Sequence, residues 1–359
     1  MRSKFLLYLL TTLFLCAIPL RAEKIVVVAG GGAADRDAPA TQCALHEPFC
    51  VEFNPAGEMV IAEMEHGNRV LKVDAQGMLR VIAGSGGKGY AGDGGPATAA
   101  SFSGIHNFAV LPTGDLLLAD SFSNALRRVD AKSGIIQTMA GDGKKGFGGD
   151  GGPAAKAQFS TLIQISLDPA AAHLYLADIG NRRIRRIDLK SGIITTVAGN
   201  GQSAVPADGA EAVSAPLVDP RAVVADAAGG FYVLERSGHA LRYVDPAGKI
   251  RTVAGTGQKG FSGDGGPALA AAFNGPKYVT LDRDGSVLIA DSENNVIRRY
   301  SPKTGLVTRV AGNGKAGASG IGGSPLDCEL RRPHGVTVGR DGALYIADSY
   351  NDRILKIVP

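Results

Sequence analysis

Tryptophan is absent from the 359 residues, and 9 Tyr with 12 Phe leave aromatics at 6 %. That is thin material for the stacked-ring platforms that hold sugars or unpaired bases. Charge of one sign is missing too. Residues 1–22 carry Arg2, Lys4 and Arg21 and no acid; without them 35 basic residues face 34 acidic ones. A chain so near neutrality has no global field for nucleic acid or an anionic membrane surface, so neither is an expected partner. Beyond residue 22 no apolar run approaches the ~18 residues that cross a bilayer, so no transmembrane anchor is expected once that segment is removed. Cysteine is scarce. Cys43, Cys50 and Cys328 remain after residue 22. No CxxC pair is present to suggest a zinc ribbon or redox centre. One bridge plus one free thiol fits an odd count, with Cys43–Cys50 and Cys43–Cys328 both open.

The first 22 residues read as an export leader. Met1 to Lys4 form a positive start, Phe5 to Leu20 an apolar stretch broken at Pro19, and Leu20-Arg21-Ala22 a small-residue cleavage site. Removal after Ala22 would deliver the chain to the periplasm or outside. The rest is 45 % hydrophobic and 20 % charged overall, which excludes a disordered chain. Its 50 glycines follow no Gly-X-Y period and point to many tight turns between short strands.

Those strands recur. An Ala-Gly mark closes a strand at residues 29–30, 83–84, 140–141, 198–199, 254–255 and 311–312, with spacings of 54, 57, 58, 56 and 57. A second mark, an apolar run ending in Ala-Asp or a variant, falls at 62–63, 119–120, 177–178, 234–235, 290–291 and 347–348. Two marks with one period, six times each, define six units. Each unit reads as four short strands; in residues 276–312 they begin near Pro276, Ser286, Asn295 and Leu306, separated by Gly-, Asp- and Asn-bearing turns. Four antiparallel strands repeated radially make an all-β, six-bladed β-propeller. The chain opens with a lone fourth strand, Lys24 to Gly30, and ends with only three. The N-terminal strand is therefore expected to complete the last blade and close the ring, which removes open sheet edges.

The units resemble NHL repeats. Pro333-His334-Gly335-Val336 leading to Leu344-Tyr345-Ile346-Ala347-Asp348, then Asn351 and Arg353-Ile354, carries the resemblance, as does Leu174-Tyr175-Leu176-Ala177-Asp178 with Asn181 and Ile184. It covers residues 24–359 and implies blades near 48–84, 105–141, 163–199, 220–255, 276–312 and 333–359 plus 24–30. It is specific for fold, since NHL propellers include binding modules, sensors and a few enzymes.

Candidate chemistry falls into three groups. Gly-Asp-Gly-Gly-Pro-Ala recurs with Asp93, Asp150 and Asp264, each after Gly-Phe or Gly-Tyr. These loops read either as calcium or anion loops or as connections pinned by their aromatics, and a single carboxylate is thin for calcium. The Ala-Asp marks and the Arg pairs of the third strands read as structural turns and as solvated strand faces. The unrepeated residues are more informative. Aligned on the proline before each first strand, they give Phe49, His106, Gln164, Arg221, Lys277 and His334, a polar ring at one channel mouth. His46 stands two residues before Pro48, and with His106 and His334 it makes a candidate site for a divalent metal, zinc or calcium. The peptide-amidating lyase propellers carry Pro-His pairs that Pro333-His334 distantly resembles, though Ile105-His106 lacks the proline and His46 sits off-register, and they imply such a site; gluconolactonase-like propellers imply a Glu-Asn-Asp set, for which only Glu52 and Asn107 are comparable. The reading favoured by the sequence is an exported monomer without a required cofactor. It acts as a rigid platform for a protein, peptide or envelope glycan through His106, Gln164, Arg221, Lys277 and His334. The alternative is a metal-dependent lyase or hydrolase.

Overall fold

A computed structural model describes residues 23–359. The expected leader, residues 1–22, lies outside them. Six antiparallel sheets are arranged round an axis, and in each the first strand is followed outward by the second, third and fourth. Neighbouring first strands touch all the way round, blade 6 meeting blade 1. The ring closes as expected: Lys24–Gly30 pairs antiparallel with Arg353–Val358, Lys24 opposite Val358 and Gly30 opposite Arg353.

β-Branched and aliphatic residues build the strands, and the faces of adjacent blades bury them against one another. Between blades 2 and 3, Phe159 is fully buried among Leu126, Ala140, Leu174 and Ile194. Phe102 and Phe273 are fully buried at the equivalent blade junctions. Truncating such a phenylalanine to alanine costs about 3–5 kcal/mol.

The two sequence marks have separate physical causes. At the Ala-Gly mark the glycine is left-handed, as at Gly84 (φ 90°), and a Cβ there would run into the Asn68 carbonyl. At the Ala-Asp mark the buried carboxylate ties down the chain entering the blade. Asp120 Oδ1 accepts the Ser103 N–H at 2.7 Å, Asp178 that of Ser160 at 2.8 Å and Asp291 that of Asn274 at 2.8 Å. A 3-10 turn follows, and the residue after it is left-handed, such as Asn295 (φ 55°). Asn181, Asn294 and Asn351 each donate to that same carboxylate and to a loop carbonyl.

The third-strand arginines differ from expectation. Arg127, Arg185 and Arg298 are fully buried, not solvated. Each spans the Ala-Asp carboxylate and the loop aspartate: Arg185 Nη2 lies 2.6 Å from Asp150, and its Nη1 3.8 Å from Asp178. Arg127 holds Asp93 at 2.7 Å and Arg298 holds Asp264 at 2.8 Å. Aromatic rings flank them: Phe147 and Phe159 for Arg185, Tyr90 and Phe102 for Arg127, Phe261 and Phe273 for Arg298. The carboxylates of Asp93, Asp150 and Asp264 are thus engaged by a guanidinium. Among the described residues no three His, Cys, Asp or Glu side chains gather at these loops to hold a cation.

The same connections cap the outer edge of the next blade. Ala210–Glu211 and Gly266–Pro267 add a short fifth strand to blades 4 and 5, while Pro39, Pro96 and Pro153 make single bridges in blades 1 to 3. Gly322 and Gly323 do likewise against Ile25 in blade 6. This covers edge hydrogen-bonding groups that would invite pairing with other chains. Cys43, Cys50 and Cys328 are buried and unbridged. Cys43 and Cys328 sit in different cores and Cys50 points into the channel, so the expected bridge does not form.

Candidate functional site

Strand register fixes which residues share a level in the channel. Cys50 lies opposite Ala62, Asn107 opposite Ala119, Ala222 opposite Leu234, Tyr278 opposite Ala290 and Gly335 opposite Ala347. In blade 3, Ile165 opposite Leu176 sets Gln164 at this same level. Gln164 is therefore not a mouth residue; Ile163 takes that place. Blade 3, like blade 2, lacks the proline that marks the other first strands, and Leu162, opposite Asp178, stands in the proline's place.

The level holding Gln164 closes the channel. Gln164 Nε2 donates to the Val279 carbonyl at 2.7 Å and its Oε1 accepts the Val279 N–H at 3.3 Å. Asn107 accepts the Ile165 N–H at 2.9 Å, and its Nδ2 donates to Cys50 Sγ at 3.2 Å and to the Tyr278 hydroxyl at 3.4 Å. Burial pushes the Cys50 thiol up to about 12, so it stays protonated and unreactive. Below this floor a small chamber of about 150 Å³ is lined by Glu52, Ser166 and Thr280. Glu52 accepts from Tyr278 at 3.3 Å and from Thr337 at 3.2 Å, and burial raises its pKa to about 7. Asn107 in the floor and Glu52 beneath it do not form one ligand set.

Above the floor two connected hollows, of about 590 and 290 Å³, share His106, Arg221 and Arg236. Together they form a cup whose walls are unlike. On one side run five stacked or edge-on rings. Tyr350 lies 5.8 Å from His334, His334 3.9 Å from Phe49, Phe49 5.5 Å from His106, and His106 5.6 Å from Phe122. On the other side stand Arg221, Arg236 and Lys277, and Arg332 lies over the Tyr350 ring at 4.8 Å. Burial, then the nearby cations, hold both imidazoles well below their ordinary pKa, so they are neutral. His334 Nδ1 donates to the Arg332 carbonyl at 2.8 Å, which leaves Nε2 as an acceptor. His106 Nδ1 meets the Ser121 hydroxyl at 2.8 Å.

The cations are unequally partnered. Arg236 pairs with Asp219 at 2.7 Å, while Lys277 at 2.8 Å and Arg332 at 2.6 Å share the single carboxylate of Glu293. Burial lowers Lys277 to about 8 and Arg221 to about 10. Arg221, only 6 % exposed, has no hydrogen-bond or ion-pair partner among the described residues, and its Nε is sealed from solvent.

Four residues expected here do meet at the cup: His106, Arg221, Lys277 and His334. The three-histidine metal site does not assemble. Phe49 lies between the rings of His106 and His334, and His46 lines a separate hollow with Asp35, His66 and Arg69. Among the described residues no group of three His, Cys, Asp or Glu side chains is placed to hold a metal ion. Sequence reasoning overlooked a second ring above the first. It is formed by the residues two places after each Ala-Asp mark: Glu65, Phe122, Gly180, Ser237, Glu293 and Tyr350. Their signal was variability at one fixed repeat position. A groove of about 950 Å³ on the outer rim of blades 5 and 6 is larger than the cup. Of its cations, Arg299 pairs with Asp282 and Lys356 with Asp341, each at 2.6 Å, and Arg309 donates to the Gly312 carbonyl at 3.1 Å.

Comparison with known proteins agrees with this architecture. The NHL repeat family matches residues 330–357. The chain is 28 % identical over 252 residues to Protein SUPPRESSOR OF QUENCHING 1, chloroplastic, of Arabidopsis thaliana, covering 67 % of this chain and 24 % of that protein. It is 25 % identical to NHL repeat-containing protein 2 of Bos taurus, covering 83 % and 44 %. It thus spans less than half the length of these relatives. Among solved structures, an auxiliary nutrient binding protein from Bacteroides ovatus superposes with a TM-score of 0.69 at 15 % identity, over 94 % of this chain and 77 % of that one. At that identity the likeness is one of fold.

Proposed function

Since the chain is a six-bladed propeller of NHL repeats, we propose that it is an exported, rigid receptor that holds a small organic ligand, or the end of a peptide, in the cup above its closed channel. The observation that carries this is the departure from repetition. At the Ala-Gly and Ala-Asp marks the six units place the same or a closely similar residue type for the same structural job. At the two rings of the cup they place phenylalanines, a tyrosine, histidines, cations and carboxylates facing one space. The hollow falls in the size range of small-molecule sites, has one closed end, and sets an aromatic wall against a charged one. The leader-like residues 1–22 support export, and a structural neighbour described as a nutrient binding protein fits a receptor role. A lyase or hydrolase built on His106 and His334 finds less support, because Phe49 keeps the two imidazoles from converging on one atom.

The test is a fragment screen by ligand-observed NMR on the wild-type protein and a Phe122→Ser/Arg236→Gln variant, both changes being at half-exposed side chains. Fragments that bind wild type and lose at least tenfold in affinity for the variant support the cup as the site. Fragments that bind both proteins equally overturn it.

A further inference from the structure

Seven arginines of this fold are buried: Arg69, Arg127, Arg185, Arg221, Arg242, Arg298 and Arg353. Four of them, Arg127, Arg185, Arg242 and Arg298, occupy one repeated place on the third strands, Arg69 and Arg353 stand two residues before the equivalent place in their blades, and all six are ion-paired with a carboxylate. Arg69 has Glu63 and Asp35; Arg242 has Glu235; Arg353 has Asp348 and the carbonyls of Ala318 and Glu329. Arg127, Arg185 and Arg298 have the loop aspartates described above. Arg221 alone stands on a first strand and has no partner among the described residues. A guanidinium withdrawn from water without a counter-charge is costly, and the rest of the molecule shows that this chain supplies a partner wherever structure alone is at stake.

The surroundings sharpen the imbalance. Lys277 and Arg332 share Glu293, Arg236 is neutralised by Asp219, and both histidines are uncharged. At the cup the cations Arg221, Arg236, Lys277 and Arg332 outnumber the carboxylates Asp219 and Glu293, while Glu47 and Glu65 at the rim are taken up by His66 and Lys88, and the cations face an arc of rings that ends in the exposed Phe122 and in Tyr350. Among the described residues that line the two hollows Gly180 is the one glycine, so no glycine-rich run is there to share a phosphate's three oxygens, whereas a guanidinium fork matches the two oxygens of a carboxylate.

We propose that the ligand is an organic carboxylate with an apolar, ring-bearing body, its carboxylate seated on Arg221 beside Lys277 and its body against the arc from Phe122 to Tyr350. This deepens the receptor reading and rests on it. The carboxylate belongs either to a free acid or to a peptide C-terminus.

The experiment is titration of benzoate, its neutral isostere benzamide, phenyl phosphate, and the peptide Gly-Gly-Phe with its C-terminal amide, followed through the ring resonances of His106 and His334. Wild type, Arg221→Gln and Arg221→Lys are compared, with circular dichroism to verify the fold. Benzoate is expected to bind at least tenfold more tightly than benzamide, Arg221→Gln to abolish that preference while leaving benzamide binding intact, and Arg221→Lys to retain part of it. Gly-Gly-Phe binding more tightly than both its amide and benzoate supports the peptide source; benzoate binding more tightly than Gly-Gly-Phe supports the free acid. Benzamide binding as well as benzoate, an unchanged preference in Arg221→Gln, or phenyl phosphate binding more tightly than benzoate overturns the carboxylate while leaving the receptor reading intact. If none of the probes moves either histidine signal, the receptor reading falls with it.

Discussion

The side-chain amide of Gln164 and the backbone of Val279, 115 residues apart in sequence, exchange two hydrogen bonds across the channel axis, at 2.7 and 3.3 Å. Blade 3 is thereby joined to blade 5 through the middle of the molecule, and the cup is given a floor. Gln164→Ala leaves the buried Val279 N–H and carbonyl without their partners. A loss of about 1–3 kcal/mol is expected in urea unfolding, because an unmade buried hydrogen bond costs its full desolvation. Unchanged stability would mean that water or a neighbour replaces the amide, and the floor would not be a fixed wall.

Arg221 and Arg185 are both buried and should respond oppositely to the same change. Arg185→Met strips the counter-charge from Asp150 and Asp178 and should destabilise by about 3–5 kcal/mol. Arg221→Met removes an unpartnered cation and fills its space with apolar atoms, so stability should rise by about 1–3 kcal/mol. Urea midpoints of the two variants against wild type measure both. Gain at the site and loss in the frame is the pattern of a residue kept for binding at the expense of stability. A destabilised Arg221→Met protein would contradict it.

Glu52 supplies a pH dependence. It faces the Tyr278 hydroxyl, Thr337 and the Cys50 thiol with no cation against it, and its pKa rises from 4.5 to about 7. A carboxyl whose folded pKa exceeds its unfolded value binds its proton more tightly in the native state. Its contribution is therefore complete below pH 4.5 and is lost as pH climbs through about 7. Wild type should lose more stability than Glu52→Gln between pH 5 and pH 8. Equal losses would show that Glu52 is ionised throughout.

Closure of the ring depends on residues 24–30, whose removal leaves the edge of Arg353–Val358 unpaired. A chain beginning at Gly31 should unfold without a single sharp transition and associate through that edge, as seen by circular dichroism and size-exclusion chromatography. A monomer with a sharp, wild-type transition would show that three strands suffice in blade 6.

The fold was legible because each blade repeats its requirements. A left-handed glycine such as Gly84 and a buried carboxylate such as Asp178 recur at fixed spacing, and the odd strand at each end of the chain announced closure. The site was legible only in part. His106, Arg221, Lys277 and His334 stood out as departures from the repeat, but Gln164 was misplaced by one residue because Leu162, not Ile163, stands in the proline's place in blade 3. The buried arginines were misread because alternation along a strand does not reveal that a loop aspartate such as Asp150 folds back to meet Arg185. His46 was grouped with the other histidines on chain proximity to Pro48. The structure turns it to a different hollow.

The most direct test of the account is a crystal structure of the protein grown with benzoate. The account predicts the carboxylate against the Arg221 guanidinium, above Gln164, with the ring toward Phe122 or Tyr350. Benzoate found instead in the chamber beneath the floor, beside Glu52 and Thr280, or only in the rim groove near Arg299, would contradict it.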